Sequence, residues 1–193
     1  MLELAILGLL KERAMHGYQL KKRLSDTLGG FWRVSYGSLY PALKRLLKEG
    51  AVEMVFPKED VGRRKNVYRI TQKGEALFAD LLGTTGHQAS EDMGFPVRLA
   101  FFQYLKPETR IHLLERRRAF LEERFTELER SLQSYRERID GYVLSLMSHE
   151  ISATQNDIRW LDDLIQAERR QAQGAPTASP MRRAAILPQK ERA

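Results

Sequence analysis

The residues of this sequence best placed for chemistry are hydroxyls, phenols and cations, not catalytic acids or thiols. Ser35-Tyr36-Gly37-Ser38, with Tyr40 and Lys44 beyond, stands where an apolar-periodic run begins. Hydroxyl groups there reach phosphate oxygens or base edges, Gly37 permits close backbone approach, and the free N–H groups of a helix start attract phosphate through the helix dipole. Tyr40 fits equally the role of a half-buried aromatic prop beneath the helix. A second group, Arg63, Arg64 and Lys65, follows Gly62 in a polar stretch. An arginine at such a tip suits the minor groove beside a helix lying in the major groove, although a solvated loop that discourages strand pairing has the same composition. Lys21-Lys22-Arg23 adds charge, but a charge run on a helix is most often a wet face. The ligand that these groups share is a polyanion.

Other chemistries lack their parts. With no cysteine there is no disulfide framework, thiolate zinc site or cysteine nucleophile. His16, His87, His112 and His149 fall on separate elements without a ligand spacing such as HExxH, so neither metal nor cofactor is expected. No phosphate loop, nucleophile elbow or base-and-orienter set stands out; no catalytic residue is assigned and the chain is not read as an enzyme. Its 193 residues allow one compact domain with an appendage, or two small domains, and exclude a barrel of about 250 residues. The apolar run Leu2 to Leu10 contains Glu3 and falls short of the about 20 residues that a membrane span needs. It also lacks a basic leader, so a cytoplasmic protein without membrane contact is expected.

The formal charge is +7, and it is unevenly spread. Residues 1–82 hold 15 basic and 9 acidic side chains, residues 83–172 hold 13 and 15, and residues 173–193 hold 4 and 1. The basic amino-terminal part is therefore the one suited to phosphate. There, Leu2, Ala5, Ile6, Leu9 and Leu10 predict a first helix, and Tyr18, Leu20, Leu24 and Leu28 a second that stops at Gly29-Gly30. Leu39, Leu43, Leu46 and Leu47 define a third, ended by Gly50. Because proline is tolerated in the first helical turn, Pro41 sets its start near Ser38. Ala51 to Phe56 and Asn66 to Ile70 alternate as two strands around a basic tip, and Thr71 is positioned to cap a fourth helix carrying Ala76, Leu77, Leu81 and Leu82. Three helices, a two-stranded wing and another helix make the order of a winged helix-turn-helix over residues 1–83.

The same segment contains Leu4-Ala5-Ile6-Leu7-Gly8-Leu9-Leu10, His16-Gly17-Tyr18-Gln19-Leu20, Gly37-Ser38-Leu39-Tyr40-Pro41-Ala42-Leu43, Leu46, Glu49-Gly50 and Tyr68-Arg69-Ile70-Thr71-Gln72-Lys73-Gly74. On these motifs, in this order, it bears a resemblance to the PadR family of transcriptional regulators. It implies a dimeric factor that binds double-stranded promoter DNA, usually as a repressor. A helical protein-interaction module without sequence-specific DNA binding is the alternative.

Residues 84–172 read as a helical domain, giving a mainly α protein, and residues 173–193 as a flexible basic tail. Leu121, Phe125, Leu128, Leu132, Tyr135, Ile139, Tyr142 and Leu146 step by four and three, a heptad seam that favours a partner helix. Gly141 offers a break into a hairpin, followed by a last helix with Ile151, Ile158, Leu161 and Ile165. Leu121, Phe125, Leu128, Leu132, Ile158, Leu161 and Ile165 are the candidate homodimer contacts. The family resemblance extends here through Leu99-Ala100-Phe101-Phe102, Leu105-Lys106-Pro107-Glu108 and Ile158-Arg159-Trp160-Leu161-Asp162-Asp163-Leu164, and implies the longer subfamily with a helical dimerisation domain. Phe101, Phe102, Tyr104 and Trp160 are candidates to line a cavity for a small aromatic effector, with packing as their competing role.

Overall fold

The computed structural model describes residues 1–28, 34–55, 66–83, 88–136 and 138–174, the side chains of 88–93 excepted. The chain divides into two compact units, Met1–Thr109 and the residues from Arg110 onward.

In the first unit helix α1, Leu2–Glu12, is the centre of the core. The apolar spacing predicts one buried stripe, yet all seven residues from Leu4 to Leu10 are buried. The reason is that α1 is covered on more than one side, by α2 (Gly17–Leu28), α3 (Tyr36–Lys48), α4 (Gln72–Gly83), α5 (Gln88–Leu99) and β3 (Val67–Ile70). A Cβ built on Gly8 would stand 2.4 Å from Cε1 of Phe101, so the absent side chain makes the slot for that ring. Phe101 is in turn set edge-on to Phe78 of α4. The unit therefore reaches past residue 83: α5 and the 3-10 turn Phe102–Tyr104 share this core.

The sheet has three strands, not the two that alternation predicts. Met15–His16 forms β1 and pairs antiparallel with β3, Met15 opposite Tyr68, while β2 (Val52–Val55) pairs on the other side, in the order β1-β3-β2. Two residues are too few to show a period, which is why β1 has no signature of its own. The basic tip Arg63, Arg64 and Lys65 lies outside the described residues, as does the tail from residue 175.

Helix α3 begins at Tyr36, two residues before the start expected from Pro41. Ser35 is its N-cap: the Ser35 Oγ accepts from the Ser38 N–H at 3.1 Å, and the Ser38 hydroxyl donates back to the Ser35 carbonyl at 3.0 Å. Cap strength outweighs the proline here, because Pro41 removes only the bond to the carbonyl of Gly37, which stands on an exposed turn open to water. The other end closes as a Schellman motif. Gly50 adopts φ +72°, its N–H donates to the Leu47 carbonyl, and Ala51 N–H donates to that of Leu46. Thr71 caps α4 as expected, its Oγ1 accepting from Gly74 N–H at 3.1 Å and donating to the Gly50 carbonyl at 2.7 Å.

The second unit is a helical hairpin of α6 (Pro107–Tyr135, its first residues in the first unit) and α7 (Gly141–Ala172). The seam does not run on as one helix: the chain turns at 136–140, and Asp140 starts α7 by accepting from the N–H groups of Tyr142 at 2.8 Å and Val143 at 3.1 Å. Ion pairs Arg110–Glu168, Glu115–Arg169, Arg118–Asp162 and Arg124–Glu150 fix the two helices antiparallel, since the start of α6 pairs with 168 and 169 near the end of α7 and later positions pair with 162 and then 150. All but the first are substantially exposed, so they set register more than stability. We expect Asp140→Ala to destabilise the hairpin by about 1 kcal/mol. Chemical denaturation followed by helical circular dichroism checks this; an unmoved midpoint would mean that the cap does not hold the turn.

Candidate nucleic-acid interface

Helix α3 presents two different faces. Leu39, Ala42, Leu43 and Leu46 are buried and hold it against the core, with Leu39 and Leu46 at 0% exposure. Ser35, Tyr36, Gly37, Ser38, Tyr40 and Lys44 are all exposed. The six residues expected to meet a polyanion thus share the side that the leucines leave outward. Capping uses the Ser38 N–H, and the Leu39 N–H donates to the Ser35 carbonyl at 3.1 Å. The N–H groups of Tyr36 and Gly37 have no carbonyl within the helix to donate to, and stand at the positive end of the dipole.

The aromatic residues of this turn are braced from α2. Tyr36 and Tyr40 stack with ring centres 6.1 Å apart and planes at 18°. A Cβ on Gly17 would sit 3.0 Å from the Tyr40 hydroxyl and 3.1 Å from its Cε1, so the ring lies on the bare backbone where α2 begins. Tyr40 is packed as a prop while remaining 48% exposed. Behind it, burial pushes the Tyr68 phenol above its usual range, the electrostatic effect of Tyr40 adds to this, and a hydrogen bond with Asn66 offsets part of it. The role of Gly17 has no local signal, because its neighbour is 23 positions away in the chain.

The surrounding cations are not equivalent. Arg45 donates to Glu3 from Nε at 3.1 Å and Nη2 at 3.0 Å, and Arg23 donates to Glu12 at 2.8 Å. Both are tied within the domain. Lys21 instead places its Nζ 3.8 Å from the centre of the Tyr36 ring.

The other groups singled out in the sequence divide between the units. Phe101 and Phe102 are buried in the first, Phe102 edge-on to Phe95. Tyr104 stands at the edge of a hollow of about 440 Å³ that Lys11, Glu75, Phe78 and Leu105 also line. Burial raises the Tyr104 phenol, Glu12 raises it further, and Lys11 opposes them. Trp160 belongs to α7 in the second unit and is exposed. Of the seven candidate homodimer contacts, Leu121, Leu161 and Ile165 are already buried within one chain, whereas Phe125, Leu128, Leu132 and Ile158 are partly exposed. Among the described residues the large exposed apolar side chains of the hairpin are Tyr135, Tyr142, Val143, Leu146 and Trp160, with Tyr142 91% exposed.

Comparison with known proteins finds two family models along the chain. The model of the transcriptional regulator PadR-like family matches residues 6–80, and that of the virulence activator alpha C-terminal region matches residues 94–168. Over 81 residues the chain is 32% identical to the negative transcriptional regulator PadR of Bacillus subtilis. Residues 6–80 therefore carry a domain similar to the PadR-like family of transcriptional regulators. That alignment takes in 42% of this PadR-like chain and 44% of the relative, so less than half of the relative's length is matched. Among solved structures, Bacillus subtilis PadR in complex with operator DNA matches with a TM-score of 0.40 and 20% identity, over 86% of this chain and 98% of that one. A PadR-like regulator from Bacillus cereus matches with a TM-score of 0.38 and 20% identity, over 89% and 99%. Among the described residues of the PadR-like chain no helix is long and apolar enough to cross a membrane, and no group of three or more His, Asp or Glu is placed to hold a metal ion.

Proposed function

We propose that this PadR-like chain is a cytoplasmic, sequence-specific DNA-binding repressor that works as a homodimer on a near-palindromic promoter site. The observation that carries the reading is the exposed first turn of α3, a set of hydroxyls and phenols at a helix start mounted on a buried leucine face. Ser35 and Ser38 supply donors and acceptors to backbone and bases, Gly37 allows close approach, and Lys44 adds charge farther along the helix. Arg63, Arg64 and Lys65 complete the reading as the wing tip. Repression is supported by the name of the Bacillus relative, a negative regulator. A second copy is supported by the exposed Tyr142 and Leu146, together with the half-covered Phe125, Leu128 and Leu132. Two such helices about 34 to 36 Å apart meet half-sites one turn of duplex apart. For an effector, the hollow beside Tyr104 suits a small amphipathic molecule better than Phe101 or Phe102, whose rings are enclosed in the core.

The test is selection of bound fragments from a random duplex library at moderate ionic strength. The expected product is a two-fold site, bound with an affinity that falls steeply as salt rises. Substituting Ser38 should then alter the preferred bases. Recovery of nothing above background would replace this reading with that of a helical protein-interaction module.

A further inference from the structure

Within the run Lys21-Lys22-Arg23 the three cations have separate surroundings. Arg23 pairs with Glu12, Lys22 is exposed, and Lys21 rests on the face of Tyr36 with its Nζ 3.8 Å from the ring centre. Among the described residues no carboxylate pairs with Lys21. The contact belongs to a closed circuit: Lys21 of α2 lies on Tyr36 of α3, Tyr36 stacks on Tyr40, and Tyr40 lies on Gly17, which is again in α2. A cation over a phenol ring is attracted by the negative face of the ring, which favours this rotamer of Lys21 over the others. The ammonium is thereby held beside the outward turn of α3 without being neutralised.

We infer that Lys21 is a contact to the phosphate backbone of bound DNA and that Tyr36 is its positioning residue, not a reader of bases. The inference rests on the DNA-binding reading above. With one ring face given to Lys21 and the stack with Tyr40 fixing its tilt, Tyr36 has little freedom to follow a base edge. A phosphate approaching the Tyr36 and Gly37 N–H groups would find the ammonium already beside it. Lysine serves phosphate as a point charge and needs no bidentate fit.

The experiment measures binding of the full chain to the duplex recovered by selection and to a scrambled duplex of equal length, by fluorescence anisotropy over a salt series. Lys21→Ala should make the slope of log K against log salt shallower by about 0.9, the loss of one phosphate contact. It should weaken both duplexes alike, leaving their ratio unchanged. Lys21→Arg and Tyr36→Phe, which keep the cation and the ring, should retain the wild-type slope. Tyr36→Ala should share the shallower slope, and combining it with Lys21→Ala should make it no shallower. A Lys21→Ala slope equal to wild type overturns the inference while leaving DNA binding intact. So does a Tyr36→Phe variant that changes the ratio between the two duplexes, since that would show base reading by the hydroxyl. If the wild-type chain binds neither duplex with a dependence on salt, the inference and the reading beneath it fall together.

Discussion

Ser38→Glu is expected to abolish duplex binding while leaving the fold at least as stable as before. Ser38 is the third residue of α3, with Ser35 as the cap. A glutamate at that position completes a capping box by reaching back to the cap's own N–H, and a negative charge there is favoured by the helix dipole. The same charge stands in the exposed turn proposed to meet phosphate, where like charges brought together cost several kcal/mol. A loss of more than about 100-fold in affinity corresponds to only about 2.7 kcal/mol. Ser38→Gln, which can form the cap without the charge, separates the two effects. Melting temperature and anisotropy measured together decide the matter. Binding by Ser38→Glu at wild-type strength would place the interface elsewhere.

Gly74→Ala is expected to be among the most damaging single-methyl changes in the first unit. The new Cβ would lie 2.0 Å from the carbonyl oxygen of Ala51 and 2.8 Å from Cγ1 of Ile70. The obstructing atom is backbone, in a short segment that also accepts the Thr71 N–H at 3.1 Å, so it cannot swing away as a side-chain tip would. Overpacking costs about 1–3 kcal/mol and occasionally more, a backbone obstruction placing this case at the upper end, and each kcal/mol lowers the melting temperature of a unit this size by roughly 4–8 °C. Gly83→Ala is the control: its Cβ meets nothing within 4 Å, and it should be neutral or stabilising by up to about 1 kcal/mol. Similar thermal unfolding of the two variants would refute the close approach of α4 to the strand.

Much of the reading helix was legible because its signals are local. The spacing of Leu39, Leu43 and Leu46 marks the inward face and so the outward one, and Gly50 and Thr71 announce the end of one helix and the beginning of another by their own chemistry. The start of α3 was displaced because the rule for Pro41 considers the proline alone and not the competing cap at Ser35. What stayed hidden depends on distant partners. Met15 and His16 become a strand only when Tyr68 and Val67 arrive beside them, and Gly74 is indispensable only because the Ala51 carbonyl presses on it. Along the carboxy-terminal helices the four-and-three stepping continues across 136–140 as though no turn were there, so periodicity could not locate it. The contact of Lys21 with Tyr36 joins two helices and has no period at all.

The slot that Gly8 opens for Phe101 bears on how a minimal reading head should be cut from the gene. A fragment stopping after α4 at Gly83 would retain every outward-facing residue of α3 yet strip the lid from α1, leaving a greasy notch that invites clumping. An autonomous head should instead be trimmed no shorter than Leu105, so that it carries its own plug.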